Sequence, residues 1–362
     1  MAPEVTQIGA AGASGVVADR IRGDGPLGFD EFMDLALYDP DVGFYMCGGG
    51  AGRQRDFLTS PEIGPLFGAV IANALDTWWA ALGRPDPFVV VDAGAGPGGL
   101  ARSIRAAQPA CGAALHLVLV EISPGQRASH PEDVDSRPDL PAVGELGDGP
   151  VIMLANELLD NLPFRLAERT VSGWAEVRLT LSGDDLVETF APMPASGFER
   201  CAELAPNAPV GARIPLQERA VAWLADALAL SRSGRVVVFD YASPTTAAMA
   251  ARRWTDWVRT YAAHGPGYGP WDRPGQQDVT CEVAVDQLAG IRPPTDHRAQ
   301  AEFLRAHGSD DLVAEGRRVW AERAHIGDLE AIRARSRVGE AAALTDPTGP
   351  GAFRVLEWVG PS

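Results

Sequence analysis

Side chains able to do chemistry cluster in a few short stretches of this chain. In one, two acids bracket a run of glycines: Asp92 comes just before the turn that holds Gly94, Gly96, Gly98 and Gly99, and Glu121 follows further on. Glycines let a backbone approach a ligand closely, and the later carboxylate can accept both hydroxyls of a ribose. Asp92 at the turn would repel phosphate and attract a cation. A dinucleotide needs its pyrophosphate on the helix N-terminus. S-Adenosylmethionine instead carries an α-ammonium and a sulfonium and no phosphate, so an acid-G-x-G turn suits it better. On spacing alone, the glycines would equally serve a βα turn that merely reverses the chain.

A second stretch, Asn156-Glu157-Leu-Leu-Asp160-Asn161-Leu-Pro163, follows the apolar run Val151–Leu154. Carboxylates there can hold a guanidinium bidentately and aim its free nitrogen at a methyl group. Most of the rate would then come from holding nucleophile, methyl and sulfur in line. The competing reading is a helix start, with Asn156 as cap and the acids favoured by the helix dipole. Three further stretches carry polar groups: Asp56 with Ser60, Pro61 and Glu62; Asp240-Tyr241; and Gln277-Asp278 in a Pro/Gly-rich segment. Each is also an ordinary loop or cap composition.

The elements that must position these groups are legible. Phe88–Val91, Leu115–Val120, Val151–Leu154 and Val236–Phe239 are short apolar runs, the pattern of strands buried on both faces. Strand, glycine turn, helix, strand and acid make the first unit of a doubly wound sheet. Phe29–Leu37 is expected to be helical. Ile63–Leu82 is expected to be one helix, capped at Ser60 with proline in its first turn. Gly48–Gly52 reads as a mobile loop, and Phe164–Phe190 alternates as a β-meander. Leu216–Leu230 and Gln300–His307 read as helices, Trp254–Gln277 as a long loop, and Phe353–Val359 as a last antiparallel strand. The expected division is an N-terminal helical and loop segment over 1–86, a nucleotide-type core over 87–165 and 233–362 with a long loop at 254–280, and an inserted lobe over 166–232.

The chain has 362 residues, 46% hydrophobic and 22% charged, with a net charge of −17. That balance fits a globular protein and disfavours affinity for nucleic acid or anionic membrane. No stretch reads as a membrane span or secretory leader, and the four scattered cysteines read as reduced thiols, so a cytoplasmic setting is expected. Lysine is absent and alanine and glycine abound, as in a GC-rich bacterial coding sequence. Neither the histidines nor the cysteines have metal-ligand spacing, and no metal is expected.

Taken jointly, the stretches resemble the MidA-type S-adenosylmethionine-dependent methyltransferases, related to the mitochondrial complex I assembly-factor arginine methyltransferase. The resemblance rests on DFLTSPEIGPLFG at Asp56–Gly68, the acid-x-G-x-G-x-G turn at Asp92–Gly98, and N-E-x-x-D-x-L-P at Asn156–Pro163. Asp240-Tyr241, P-G-x-x-D-x-T at Pro274–Thr280, and Phe303-Leu304 in a late Q-x-x-F-L helix extend it. Arg55 and Ala242 stand where the family pattern has glycine, and an aspartate expected near Ala284 is missing. The resemblance implies a class I methyltransferase: a Rossmann-like α/β sheet with an N-terminal helical segment and an inserted β-rich lobe. It implies S-adenosylmethionine as cofactor, contacted by Asp92, Gly94, Gly96, Gly98 and Glu121. The acceptor implied is an arginine on a partner protein, a complex I subunit in the mitochondrial relative. Glu157, Asp160 and Asn156 would act at it, and Asp56, Ser60, Pro61, Glu62, Asp240, Tyr241, Gln277 and Asp278 would line its site. The rival readings are a non-catalytic assembly chaperone that keeps the cofactor, and a methyltransferase for a small metabolite.

Overall fold

A computed structural model describes residues 9–49, 59–262 and 265–360. The apolar runs form one mixed seven-stranded sheet. Its strands are β1 (Phe88–Ala93), β2 (Leu115–Val120), β3 (Asp135–Arg137), β4 (Val151–Asn156), β5 (Arg235–Asp240), β6 (Asp296–Ala299) and β7 (Arg354–Val359). They lie in the order β3-β2-β1-β4-β5-β7-β6, the first five parallel and β7 antiparallel to both neighbours. Every residue of β1 is buried, as its unbroken apolar run requires.

The side chains divide by parity. Val90, Leu117, Leu119, Ile152, Leu154, Val237 and Phe239 face the helices α1 (Pro65–Ala81), α2 (Gly99–Ala106) and α4 (Gln300–Ala306), with α3 (Glu218–Leu230) lying between α2 and α4 in the chain. Val89, Val91, Val118, Val120, Met153, Val236 and Val238 pack instead against α3. The chain leaves β1 toward β2 on one side and returns to β4 on the other. That reversal opens a crevice beyond the carboxyl ends of β1 and β4, where such sheets bind ligands.

Arg165–Thr170, Gly173–Ser182 and Asp185–Pro192 form the expected meander, extended by Arg213–Leu216 and by Leu27–Gly28 from the N-terminal segment. A second core lies beneath it, built from Phe29, Phe32, Met33, Leu37, Phe164 and Trp257.

Two elements differ from expectation. Residues 60–82 are not one helix: a single turn, Ser60–Ile63, is followed by Gly64 in extended conformation and then by α1. The buried Glu340 of α5 (Leu329–Leu344) occupies the space beside Gly64 and accepts the Leu66 N–H at 2.9 Å, so the break is held from outside. Trp254–Gln277 is not only loop, since Val258–Ala262 pairs with both Gly265–Pro266 and Asp278–Cys281. Phe29–Met33 is α-helical and continues as a π-helical turn, Asp34–Tyr38. Residues 50–52 of the glycine tract, with Arg55 and Asp56, lie outside the described residues.

Candidate active site

The glycine turn joins β1 to α2. Gly94, Gly96 and Gly98 adopt φ of 69°, 54° and 80°, the left-handed region that an L side chain resists. A Cβ on Gly94 would meet Leu158 at 3.0 Å. Glu121, at the end of β2, stabilises the turn: its Oε2 accepts the Gly96 N–H at 3.0 Å and its Oε1 accepts the Ser123 N–H at 2.8 Å. His130 reaches the Gly96 carbonyl through Nε2 at 2.8 Å and Ser136 through Nδ1 at 2.8 Å. Asp92 is buried, and its Oδ2 has no hydrogen-bond partner. Burial, and secondarily the nearby Glu121, push the Asp92 carboxyl up to about 7. A buried carboxylate oxygen lacking a donor beside a Cβ-free turn fits a ligand bearing an ammonium group.

The turn opens into a cavity of about 580 Å³. One wall holds Ile122, left 47% exposed despite following the buried Glu121, together with Asp139 and Leu140. The far wall holds Tyr38, Tyr45, Pro61, Glu62, Asn156, Glu157 and Asn161.

After β4 no helix begins at Asn156, which removes the capping reading. The chain instead makes a tight turn with Glu157 at φ 52° and a 3₁₀ segment, Leu159–Asn161. A positive φ at a glutamate is strained, and such strain concentrates at functional sites. Glu157 Oε1 accepts the Ser60 N–H at 3.1 Å and the Asn156 Nδ2–H at 3.0 Å. Asp240 supports the turn from β5, its Oδ2 accepting the N–H groups of Leu159 (3.0 Å) and Asp160 (3.3 Å).

Burial drives all three acids toward the neutral form. Glu157 rises to about 7, and Asp160 and Asp240 well above the usual carboxylate range, each raised further by its neighbours. Among the described residues no arginine or histidine pairs with Glu157, Asp160 or Asp240, and Asp160 Oδ1 and Asn156 Oδ1 are buried without a partner. Among those residues, too, no set of acids, histidines and cysteines has the arrangement of a metal site.

The other singled-out residues are spread around this centre. Pro61 and Glu62 line the cavity, whereas Ser60 lies one layer behind. Asp278 accepts from Tyr45 Oη and Asn161 Nδ2, both at 2.9 Å. Tyr241 packs on Phe353 with ring centroids 4.0 Å apart. Gln277 ties the 268–272 loop, accepting the Tyr268 N–H and donating to Gly269 and Asp272 carbonyls, away from the cavity. Sequence reasoning missed Tyr38 and Tyr45, whose rings stack at 5.7 Å and 15°. It also missed Ile122, whose apolar character directly after Glu121 was the available signal. Asp34 and Arg219, an ion pair at the mouth of the cavity, carried no such signal.

A family model described as "Putative S-adenosyl-L-methionine-dependent methyltransferase" matches residues 70–313. The mitochondrial protein arginine methyltransferase NDUFAF7 of Danio rerio is 26% identical over 351 residues, covering 82% of this chain and 76% of that protein. The Drosophila melanogaster homolog is 31% identical over 192 residues, but the match spans only 44% of that protein and 46% of this chain. A Burkholderia thailandensis protein crystallised with S-adenosylhomocysteine shares the fold, with a TM-score of 0.80 and 24% identity over 96% of this chain and 92% of that one.

Proposed function

The chain belongs to this family of S-adenosylmethionine-dependent methyltransferases, with S-adenosylmethionine as its cofactor, and from that premise we propose that it methylates an arginine side chain on a partner protein. The observation that carries the acceptor class is the set of buried acids, Glu157, Asp160 and Asp240, with no cation beside them among the described residues. Uncompensated buried carboxylates are costly, and a guanidinium is a planar cation whose five donors match two carboxylates and an amide oxygen. The stacked Tyr38 and Tyr45 offer that cation an aromatic wall. The Danio and Drosophila relatives are named as protein arginine methyltransferases.

On this reading Asp92 accepts from the cofactor's ammonium, the glycine turn gives its amino-acid end room, and Glu121 turns toward its ribose. The Ile122–Leu140 wall covers the adenine. When bound, the cofactor supplies an activated methyl on sulfur and leaves as a neutral thioether. The protein's own residues do the rest. The amide oxygen of Asn156, which lines the cavity, holds the guanidinium in plane, and the buried Asp160, outside that lining, draws its charge to the same side. The remaining nitrogen is aligned for in-line attack. Methylation leaves that nitrogen with one proton too many. Glu157, whose Oε1 is already committed to two donors, takes it at Oε2, a task suited to a carboxylate near pH 7.

The test is incubation with methyl-labelled S-adenosylmethionine and a bacterial protein extract, followed by acid hydrolysis. Labelled methylarginine in the protein fraction is expected, and its absence with label in the small-molecule fraction overturns the protein acceptor. Cofactor binding without label in either fraction would make the protein a non-catalytic binder.

A further inference from the structure

Glu157 is held in its strained setting by a turn that belongs to a different part of the chain. The Ser60 N–H donates to Glu157 Oε1, and the Ser60 hydroxyl donates to Gln300 Oε1 at 3.1 Å. Gln300 opens α4, and its Nε2 donates to the Leu344 carbonyl at 3.2 Å while its own N–H donates to Phe353. Ser60 and Gln300 are both fully buried, and neither lines the cavity. We propose that Ser60 and Gln300 are positioning residues that set the orientation of Glu157 toward the acceptor, an inference that rests on the acceptor role of Glu157 given above.

A glutamate at φ 52° keeps that strained backbone only where surrounding contacts hold it. Among the described residues two donors grip its carboxylate, and one of them, Asn156, is its own chain neighbour. The Ser60 turn is therefore the long-range anchor. Through the hydroxyl that anchor is fixed to α4, whose carboxamide has both its acceptor and its donor engaged. The following residues, Pro61 and Glu62, reach the cavity lining from the same turn, so one bond registers two parts of the acceptor wall. Among the described residues the charged and titratable groups around Glu157 are Asp160 on its own turn, Asp240 and Tyr241 at the end of β5, and Asp278 on the Asp278–Cys281 strand.

The test uses the full chain labelled with δ-¹³C-glutamate, with Glu157→Gln identifying the Glu157 carboxyl resonance. The Ser60 N–H favours the charged carboxylate, so loosening it must move the titration to higher pH. Gln300→Leu and Ser60→Ala are each expected to shift the Glu157 resonance upward in pH. The double variant should shift it no further than the larger single one, because both act through one bond. Turnover should fall about tenfold in each single variant, with KM for S-adenosylmethionine within about twofold of wild type. A Glu157 titration identical to wild type in both folded variants, or fully additive shifts, overturns the relay. The carboxyl titration needs no methyl transfer, so it reports on the relay separately from the acceptor reading. That reading fails instead if Glu157→Gln keeps full turnover.

Discussion

Two acids at strand ends on either side of β1 have different surroundings. Glu121 accepts two backbone N–H groups at the turn, whereas Glu157 faces other acids with no cation beside it among the described residues. Their replacement should therefore separate binding from turnover. Glu121→Ala is expected to raise the dissociation constant for S-adenosylmethionine by tenfold or more, on the order of 1.4 kcal/mol, by calorimetric titration. Glu157→Gln should leave that constant within about twofold and lower kcat by roughly a hundredfold. Wild-type kcat/KM should also rise along an acid limb centred near pH 7, because the base must be ionised and burial holds it at about 7 in the free protein. Asp92, the turn glycines, Glu121 and Asn156–Asn161 were legible because each directly follows an apolar run, and strand ends are where such sheets place chemistry. Tyr38 and Tyr45 were not, since isolated aromatics in a loop-rich segment have no spacing to betray a shared wall.

Helix α1 shows how one element constrains another. A Cβ on Gly68 would run into Ser103 of α2, so the two helices cross at backbone contact and only glycine fits. Gly68→Ala is expected to cost about 1–3 kcal/mol of unfolding free energy in a denaturant titration, through overpacking. It should also disturb the glycine turn that α2 begins from, and so weaken cofactor binding. The break at Gly64 is the companion case. Pro65 has no N–H to donate to the Pro61 carbonyl and disfavours helical backbone at Gly64, so the break begins as a local one and Pro65 starts the new helix. Glu340, remote in sequence, then fixes the break by accepting the Leu66 N–H.

Across the whole molecule, the buried acids tie stability to pH. Asp92 and Glu157 sit at about 7 in the folded chain, against ordinary values of 3.8 and 4.5. The folded state thus keeps protons that the unfolded chain releases. Their contribution is fully present below about pH 4 and is lost as pH rises toward 7, by about 1.4 kcal/mol per pH unit for each group at most. The cofactor-free protein should therefore melt at a lower temperature at pH 8 than at pH 5.5. Asp92→Asn should flatten that dependence in a thermal scan, and saturating S-adenosylmethionine should reduce it by giving Asp92 a cation. A wild-type melting temperature that climbs from pH 5.5 to 8 would contradict this account.

By itself, the sequence determined the parallel sheet, the glycine turn with its two acids, and the meander. Each is written in residues close together in the chain, as apolar period, glycine placement or an acid at a strand end. Tertiary structure decided the rest. It brought the Asp34–Tyr38 turn, Tyr45 and the Ser60 turn onto the β4 end to close the cavity. It tied Ser60 to Gln300 across the chain, and it gathered the buried acids Glu157, Asp160 and Asp240. Desolvation and charge proximity depend on what surrounds a carboxylate in space, and residues that meet only after folding leave no periodicity by which to read them beforehand.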